Sequence, residues 1–336
     1  MPPSEASGRG RLPLERYVEG VLSGDRAVLA RAITLIESYL PSDADLAGDL
    51  LNAVLPHTGR SFRIGITGAP GTGKSTFIDT FGIYLIRDRG QRVAVLSVDP
   101  SSPISGGSIL GDKTRMERLS AEESAFIRPT PARGHLGGVA RHTREAILLC
   151  EAAGYGTILV ETVGVGQSET AVRSMTDFFL LLMIPGAGDE LQGMKRGIIE
   201  MLDAIAVNKA DGDNRPKAER ARAEFASALH LFPAPADGWT PRVLTCSALN
   251  GEGIPEVWNM LVEHHEQMEA NGHLQRRRDE QALAWMQELI ALGLEDVFRS
   301  SRAVAERFAQ LKEAVRSGSV SPFAASRELL SLFHNC

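Results

Sequence analysis

Two strings in this 336-residue sequence carry chemistry by residue type and spacing. Gly68-Ala69-Pro70-Gly71-Thr72-Gly73-Lys74-Ser75-Thr76 fits G-x-x-x-x-G-K-[ST] in full. Glycines let a backbone curl until successive N–H groups face one anion, and a helix N-terminus behind them adds partial positive charge. In that setting Lys74 reaches the β- and γ-phosphates of a nucleotide, and the Ser75 hydroxyl ligates Mg²⁺. Well downstream stands Asn208-Lys209-Ala210-Asp211. An aspartate accepts two hydrogen bonds from guanine N1–H and the 2-amino group. Adenine lacks that donor pair, so Asp211 discriminates GTP from ATP. Lys209 can lie along the base, and Asn208 can tie its loop to the phosphate loop. Alone, the first string could be a glycine-rich turn and the second a polar loop; in this order they point to GTP and GDP.

These groups need strands behind them and a helix in front. Phe62–Thr67 is short, β-branched and apolar, as a buried parallel strand is, and the residues from Thr76 to Ile86 have the apolar spacing of a helix. Ala204–Val207 reads as another buried strand, with Asn208 at its carboxyl end, where ligands bind in an open α/β sheet. Val243–Leu249 reads as a strand leading into Ser247-Ala248-Leu249, a tripeptide that commonly supports the base in GTPases. The nucleotide-binding set is therefore Gly71, Thr72, Gly73, Lys74, Ser75, Thr76, Asn208, Lys209, Asp211, Ser247, Ala248 and Leu249.

Mg²⁺ takes oxygen ligands and keeps several waters, so one or two carboxylates near the phosphates suffice. Asp99 follows the apolar run Val93–Val98, Glu161 follows Ile158-Leu159-Val160, and Asp112 lies in a glycine-rich loop between them. With Ser75 these form the candidate metal set; each carboxylate could instead be a solvated loop acid. Glu161 stands where Ras-like proteins carry the Asp of D-x-x-G. That departure favours the branch of P-loop GTPases containing metallochaperones and signal-recognition GTPases. The stretch Asp99–Arg115 holds Gly106, Gly107, Gly111, Pro100 and Pro103, and loops of that length are usually functional.

Together with Gly68–Thr76, the strings Val98–Ser102, Gly111–Met116, Glu161–Glu169 and Gly186–Lys195 closely resemble MeaB/ArgK-type GTPases, relatives of the human methylmalonic aciduria type A protein. The likeness runs from about residue 14 to about residue 290. Such chains have also been called lysine/arginine/ornithine transport ATPases, a label that Asn208–Asp211 speaks against. The resemblance implies a GTPase chaperone of an adenosylcobalamin-dependent acyl-CoA mutase, usually methylmalonyl-CoA mutase. It gates cofactor delivery from a cobalamin adenosyltransferase and protects or reactivates the mutase. Carried over by motif, Ser75, Asp99 and Glu161 surround Mg²⁺, Asp112 approaches it from a switch loop, and Gly186–Lys195 is a further switch. Lys195 stabilises transition-state charge and Gln167 orients the attacking water, completing with Lys74 and Glu161 the catalytic set. The plainer alternatives are a surface cation opening the helix Arg196–Asp203 and a loop amide. His135 reads as a loop histidine. A nickel-insertion GTPase is a second reading, disfavoured by eight scattered histidines; a nucleotide-gated scaffold with incidental hydrolysis is a third.

The composition agrees with a globular GTPase. Hydrophobic content is 43%, and a net charge of −6 from 36 basic and 42 acidic residues argues against a nucleic-acid binder. Cys150, Cys246 and Cys336 are too few and too scattered for a disulfide framework. No run approaches the roughly 18 apolar residues of a membrane span, and Met1–Arg11 lacks a signal sequence, so the expected location is the cytoplasm. Arg276-Arg277-Arg278 reads as a solvated helix start.

The expected fold is an α/β P-loop NTPase with a mostly parallel central sheet flanked by helices, plus helical extensions at both ends. Residues 1–13 read as disordered, 14–58 as an N-terminal helical extension, 59–270 as the GTPase domain, and 271–336 as a C-terminal dimerisation arm. In the first extension Asp25 can cap a helix whose stripe is Leu29, Ile33, Ile36 and Leu40, and a second helix covers about Ala44–Leu55. In the arm, Leu283, Met286, Leu289, Ile290, Leu294 and Val297 recur at helical spacing across Gln281–Phe298. Gly293 is expected to weaken the last turn. This stripe serves either core packing or a homodimer, and the family resemblance favours the homodimer.

Overall fold

Short runs of β-branched and apolar residues build the sheet, and the two faces of each strand feed two different cores. The computed structural model describes residues 11–98 except 39, 116–130, 136–162, 168–186, 196–230 and 237–334. Met1–Gly10 and the expected site or loop residues Asp99, Asp112, His135, Gln167 and Lys195 lie outside the described residues. In chain order the elements are α1 (Leu14–Leu22), α2 (Arg26–Ile36), α3 (Pro41–Val54), β1 (Phe62–Thr67), α4 (Lys74–Arg87), β2 (Val93–Val98) and α5 (Glu117–Ser120). Then come β3 (Ala125–Thr130), α6 (Leu136–Ala152), β4 (Thr157–Thr162), α7 (Ser168–Arg173), β5 (Phe178–Met183), α8 (Arg196–Ile199) and β6 (Ala204–Val207). The chain continues through α9 (Arg215–Leu229), β7 (Arg242–Thr245), α10 (Ile254–Ala270), α11 (His273–Ser300), α12 (Arg302–Arg316) and α13 (Pro322–His334).

The strands form one seven-stranded sheet in the order β3-β2-β4-β1-β5-β6-β7, and every pairing is parallel. On one face Ile64, Ile66, Leu159, Leu180 and Ala206 pack with Phe77, Phe81 and Trp258 of α4 and α10. On the other, Val160, Phe179, Leu181 and Val207 pack with residues of α2, α6 and α9. This alternation sets the site: Val160 points to one face, so the next residue, Glu161, points to the α4 face. The chain divides into two compact units, one up to Asp279 and one from Glu280 onward. In the second, α12 and α13 close on Val304, Leu311, Ala325 and Leu329, with Phe298 and Phe333 in edge-to-face contact at 5.3 Å.

Several expectations change. The helix capped by Asp25, whose carboxylate accepts from Ala27 and Val28 N–H, stops at Ile36. Leu40 therefore leaves the stripe and is 59% exposed. β3 and β5 go beyond the sequence reading. β3 carries Pro129, tolerated because the strand is at the sheet edge. β5 is a continuous apolar run, which periodicity alone cannot tell from a buried helix segment. The helix expected over Arg196–Asp203 is the single turn of α8. Gly293 does not interrupt α11, which runs unbroken to Ser300, because the cost of one helical glycine, about 1 kcal/mol, is too small to end it.

The expected solvated start at Arg276–Arg278 is corrected most strongly. Arg276 is exposed, but Arg278 donates to the Asp177 carboxylate at 2.6 and 2.8 Å, and to the carbonyls of Gly59 and Ser61. Arg277 donates to the Asp177 carbonyl and the Asp237 carboxylate. Their partners stand at the amino-terminal edge of the sheet, where Asp177 also accepts from Arg63 N–H. Burial opposes ionisation of Asp177, yet the hydrogen bond and charge of Arg278, with Arg63 beside it, hold the carboxyl below its ordinary range.

Candidate nucleotide site

The site forms at the carboxyl edge of the sheet, where the loops after β1, β6 and β7 meet the end of β4. Between β1 and α4, the phosphate loop bends at Gly68, Gly71 and Gly73, with φ of 153°, 86° and 89°. At Gly68 a Cβ would sit 2.5 Å from the Leu182 carbonyl oxygen, and at Gly73 it would sit 2.8 Å from Asn208 Nδ2. Both positions need glycine for conformation and for space. Lys74 opens α4 and is buried; its Nζ donates to the Gly68 carbonyl at 2.7 Å and the Ala69 carbonyl at 3.3 Å. Burial pushes the Lys74 ammonium below its ordinary range, and the charges of Glu161 and Glu169 partly offset this. Glu169, on α7, is a buried carboxylate that the sequence reading left out of the site.

Ser75 and Glu161 are brought together: Ser75 Oγ donates to Glu161 Oε1 at 3.1 Å. Beneath them Thr162 Oγ1 donates to Thr67 Oγ1 at 2.8 Å, fastening β4 to β1 at the loop. A hydroxyl and a carboxylate side by side are the hard oxygen donors Mg²⁺ prefers, so the described part of the metal set fits that ion. Thr76 is exposed on the first turn of α4.

The half expected to read the base is held from several sides. Asn208 is 1% exposed; its Nδ2 donates to the Thr72 carbonyl at 2.9 Å, and its Oδ1 accepts from Ala248 N–H at 3.0 Å. The Cys246 thiol, 3.8 Å away, points at the same oxygen. Ser247 Oγ donates to Asp211 Oδ2 at 2.5 Å, fixing the carboxylate expected to read guanine. Ala210 N–H donates to the Cys246 carbonyl, so the two loops share a backbone bond. Lys209 is exposed and has φ 59°, the one positive value among described non-glycine residues. Such a conformation costs on the order of 1–3 kcal/mol and persists where surroundings enforce it. Its Cε lies about 4.0 Å from where a Gly73 Cβ would sit. Leu249 is 78% exposed at the rim. Cys246 was missed as a site residue because its backbone and thiol contacts follow from the fold, not from any motif.

Comparison with known proteins agrees with this geometry. The family model described as methylmalonyl Co-A mutase-associated GTPase MeaB matches residues 29–303. GTPase ArgK of Escherichia coli is 46% identical over 316 residues, covering 94% of this chain and 95% of its own. The mitochondrial methylmalonic aciduria type A homolog of Mus musculus is 47% identical over 330 residues, covering 95% of this chain and 79% of its own. A crystal structure described as LAO/AO transport system kinase is 38% identical and superposes with a TM-score of 0.75, covering 97% of this chain and all of that one. On the phosphate loop, the parallel sheet and a family match across most of its length, the chain belongs to the MeaB family of GTPases.

Proposed function

We propose that this GTPase is Mg²⁺-dependent and acts as a chaperone of an adenosylcobalamin-dependent acyl-CoA mutase of the methylmalonyl-CoA mutase type. In this role it gates cofactor loading and protects or reactivates its client. The observation that carries the guanine-specific part is the Asn208 side chain, which bridges the Thr72 carbonyl and the Ala248 N–H. One amide thereby makes the phosphate cradle and the base reader a single site. The mutase assignment is supported by the family description.

In hydrolysis the loop amides and the Lys74 ammonium take up charge developing on the γ-phosphoryl oxygens. Lys74 is predisposed to this because it is buried and its present partners are neutral carbonyls. It can exchange them for phosphate without leaving the loop. Ser75 and Glu161 would hold Mg²⁺, which neutralises phosphate charge when bound. Asp99 and Asp112 are proposed to complete its surroundings, and Gln167 and Lys195 to orient water and stabilise charge. A homodimer through α11 is part of the same proposal, as is contact with a cobalamin adenosyltransferase.

The test pairs Lys74→Ala with the mutase. GTP should tighten the complex of wild-type protein with methylmalonyl-CoA mutase by at least about tenfold, equivalent to about 1.4 kcal/mol. K74A should bind the mutase with no GTP effect. GTP-independent affinity of the wild type, together with GTP turnover unchanged by added mutase, would refute the gating role.

A further inference from the structure

We infer that Thr80, a residue of α4 outside every nucleotide-binding motif of this chain, is a positioning residue that sets guanine selectivity by holding the Ser247–Gly253 loop against the phosphate-loop helix. The inference rests on the guanine-reading role proposed above for Asn208 and Asp211.

Thr80 is 8% exposed, and its Oγ1 donates to the Ala248 carbonyl at 2.6 Å. Ala248 is itself 3% exposed, and its N–H is held by Asn208 Oδ1 at 3.0 Å. The Ala248 residue is thus gripped at both of its backbone polar groups, one from the base-reading loop and one from the helix. The Thr80 methyl lies near the same loop, its Cγ2 4.0 Å from where a Gly251 Cβ would sit. Within this loop Gly251 N–H donates to the Ser247 carbonyl and Ser247 N–H to the Glu252 carbonyl. The segment is therefore braced from within. The Thr80 hydroxyl, bonded to the Ala248 carbonyl, ties this braced loop to α4.

The hydrogen bonds close a circuit. From the Thr72 carbonyl it passes to Asn208, from Asn208 to Ala248, from Ala248 to Thr80, and back along α4 to Lys74 and Ser75. Ser247, at the head of this loop, orients the Asp211 carboxylate. Loosening the Thr80 contact leaves the cradle's glycines, Lys74 and Ser75 in place, but frees the loop that aims the guanine-reading carboxylate. A merely structural threonine would affect all nucleotides alike; a positioning one affects the base.

The experiment measures GDP and ADP affinity by titration calorimetry for wild-type protein, Thr80→Val and Thr80→Ser. Valine keeps the methyl and shape but leaves the Ala248 carbonyl buried without its donor. T80V should bind GDP about tenfold more weakly, equivalent to about 1.4 kcal/mol, with ADP affinity unchanged, so selectivity falls by the same factor. T80S restores the hydroxyl and should recover most of it. Equal loss for both nucleotides, no loss in T80V, or a T80S variant as weak as T80V would each overturn the inference. A wild type with no preference for GDP over ADP would instead overturn the guanine-reading role on which it rests.

Discussion

Asp211 is held at Oδ2 by the Ser247 hydroxyl, 2.5 Å away. An aspartate so fixed accepts; an asparagine in its place offers one acceptor and one donor. Asp211→Asn should therefore weaken GTP binding by about 10- to 100-fold, the equivalent of about 1.4–2.7 kcal/mol. It should improve binding of xanthosine triphosphate, whose O2 accepts where guanine donates. Competition titration with the two nucleotides measures the switch, and unchanged GTP preference would remove Asp211 from the base-reading role. At this scale the sequence was informative where chemistry forces residue identity. Gly73 is legible because a side chain there would strike Asn208. Lys74 and Ser75 are legible because a phosphate needs a cation and a metal needs an oxygen. Thr80 and Glu169 were not, since their work depends on which loop or helix packs against them.

Elements show a similar division. Strands β1, β2, β4 and β6 were legible as short apolar runs leading into candidate site residues, whereas β5 is equally apolar but carries no motif at its end. Arg277 and Arg278 were misread because a charge cluster normally faces water, and only the fold brings Asp177, Asp203 and Asp237 to meet them. The Asp177 side chain is 0% exposed and that of Arg278 11%, so removing the cation leaves a buried carboxylate without its charge partner. Arg278→Ala should destabilise the protein by about 3–5 kcal/mol, read as a lower urea midpoint with unchanged slope. A loss under about 1 kcal/mol would mean that Arg63 and water suffice for Asp177.

Close by on α10, His264 is 1% exposed between Phe178 and Trp239, both edge-on at 4.7 and 4.9 Å. Burial, reinforced by the charges of Arg277 and Arg173, pushes this imidazole down to about 3. The folded state therefore keeps His264 neutral where the unfolded chain, with a pKa near 6.5, takes up a proton. Stability is lost as pH falls from about 6.5 toward 3, and this group alone contributes roughly 3 kcal/mol of loss by pH 4. Urea unfolding from pH 7 to pH 4 measures the decline. The ring proton resonances of His264 should not titrate above pH 5, and a midpoint near 6.5 would contradict its burial.

For the whole molecule, the open question is what covers α11. Leu283, Met286, Ile290, Leu294 and Val297 are 51–60% exposed, and no α11 residue is buried. The steps between them are three, four, four and three residues, the spacing of a seam that packs against another helix. Core packing within the chain, one of two readings of this stripe, would have buried these five side chains. The proposed homodimer would cover such a patch: a second copy brings an identical stripe, which suits an isologous pairing. Leu283→Glu with Ile290→Glu tests this without touching either core. Each subunit would lose two apolar anchors worth about 1.5–3 kcal/mol apiece. Dimer affinity should then fall on the order of a thousandfold or more. Sedimentation equilibrium at micromolar concentration should give twice the chain mass for wild type and the chain mass for the double variant. Because the nucleotide site is built wholly from residues before Asp279, the monomeric variant should retain GDP binding. Loss of both properties would point to misfolding, whereas an intact dimer in the variant would remove the stripe from the interface. If the wild type were monomeric, the homodimer itself would fall. Retained GDP binding in a monomeric variant would separate nucleotide binding from assembly.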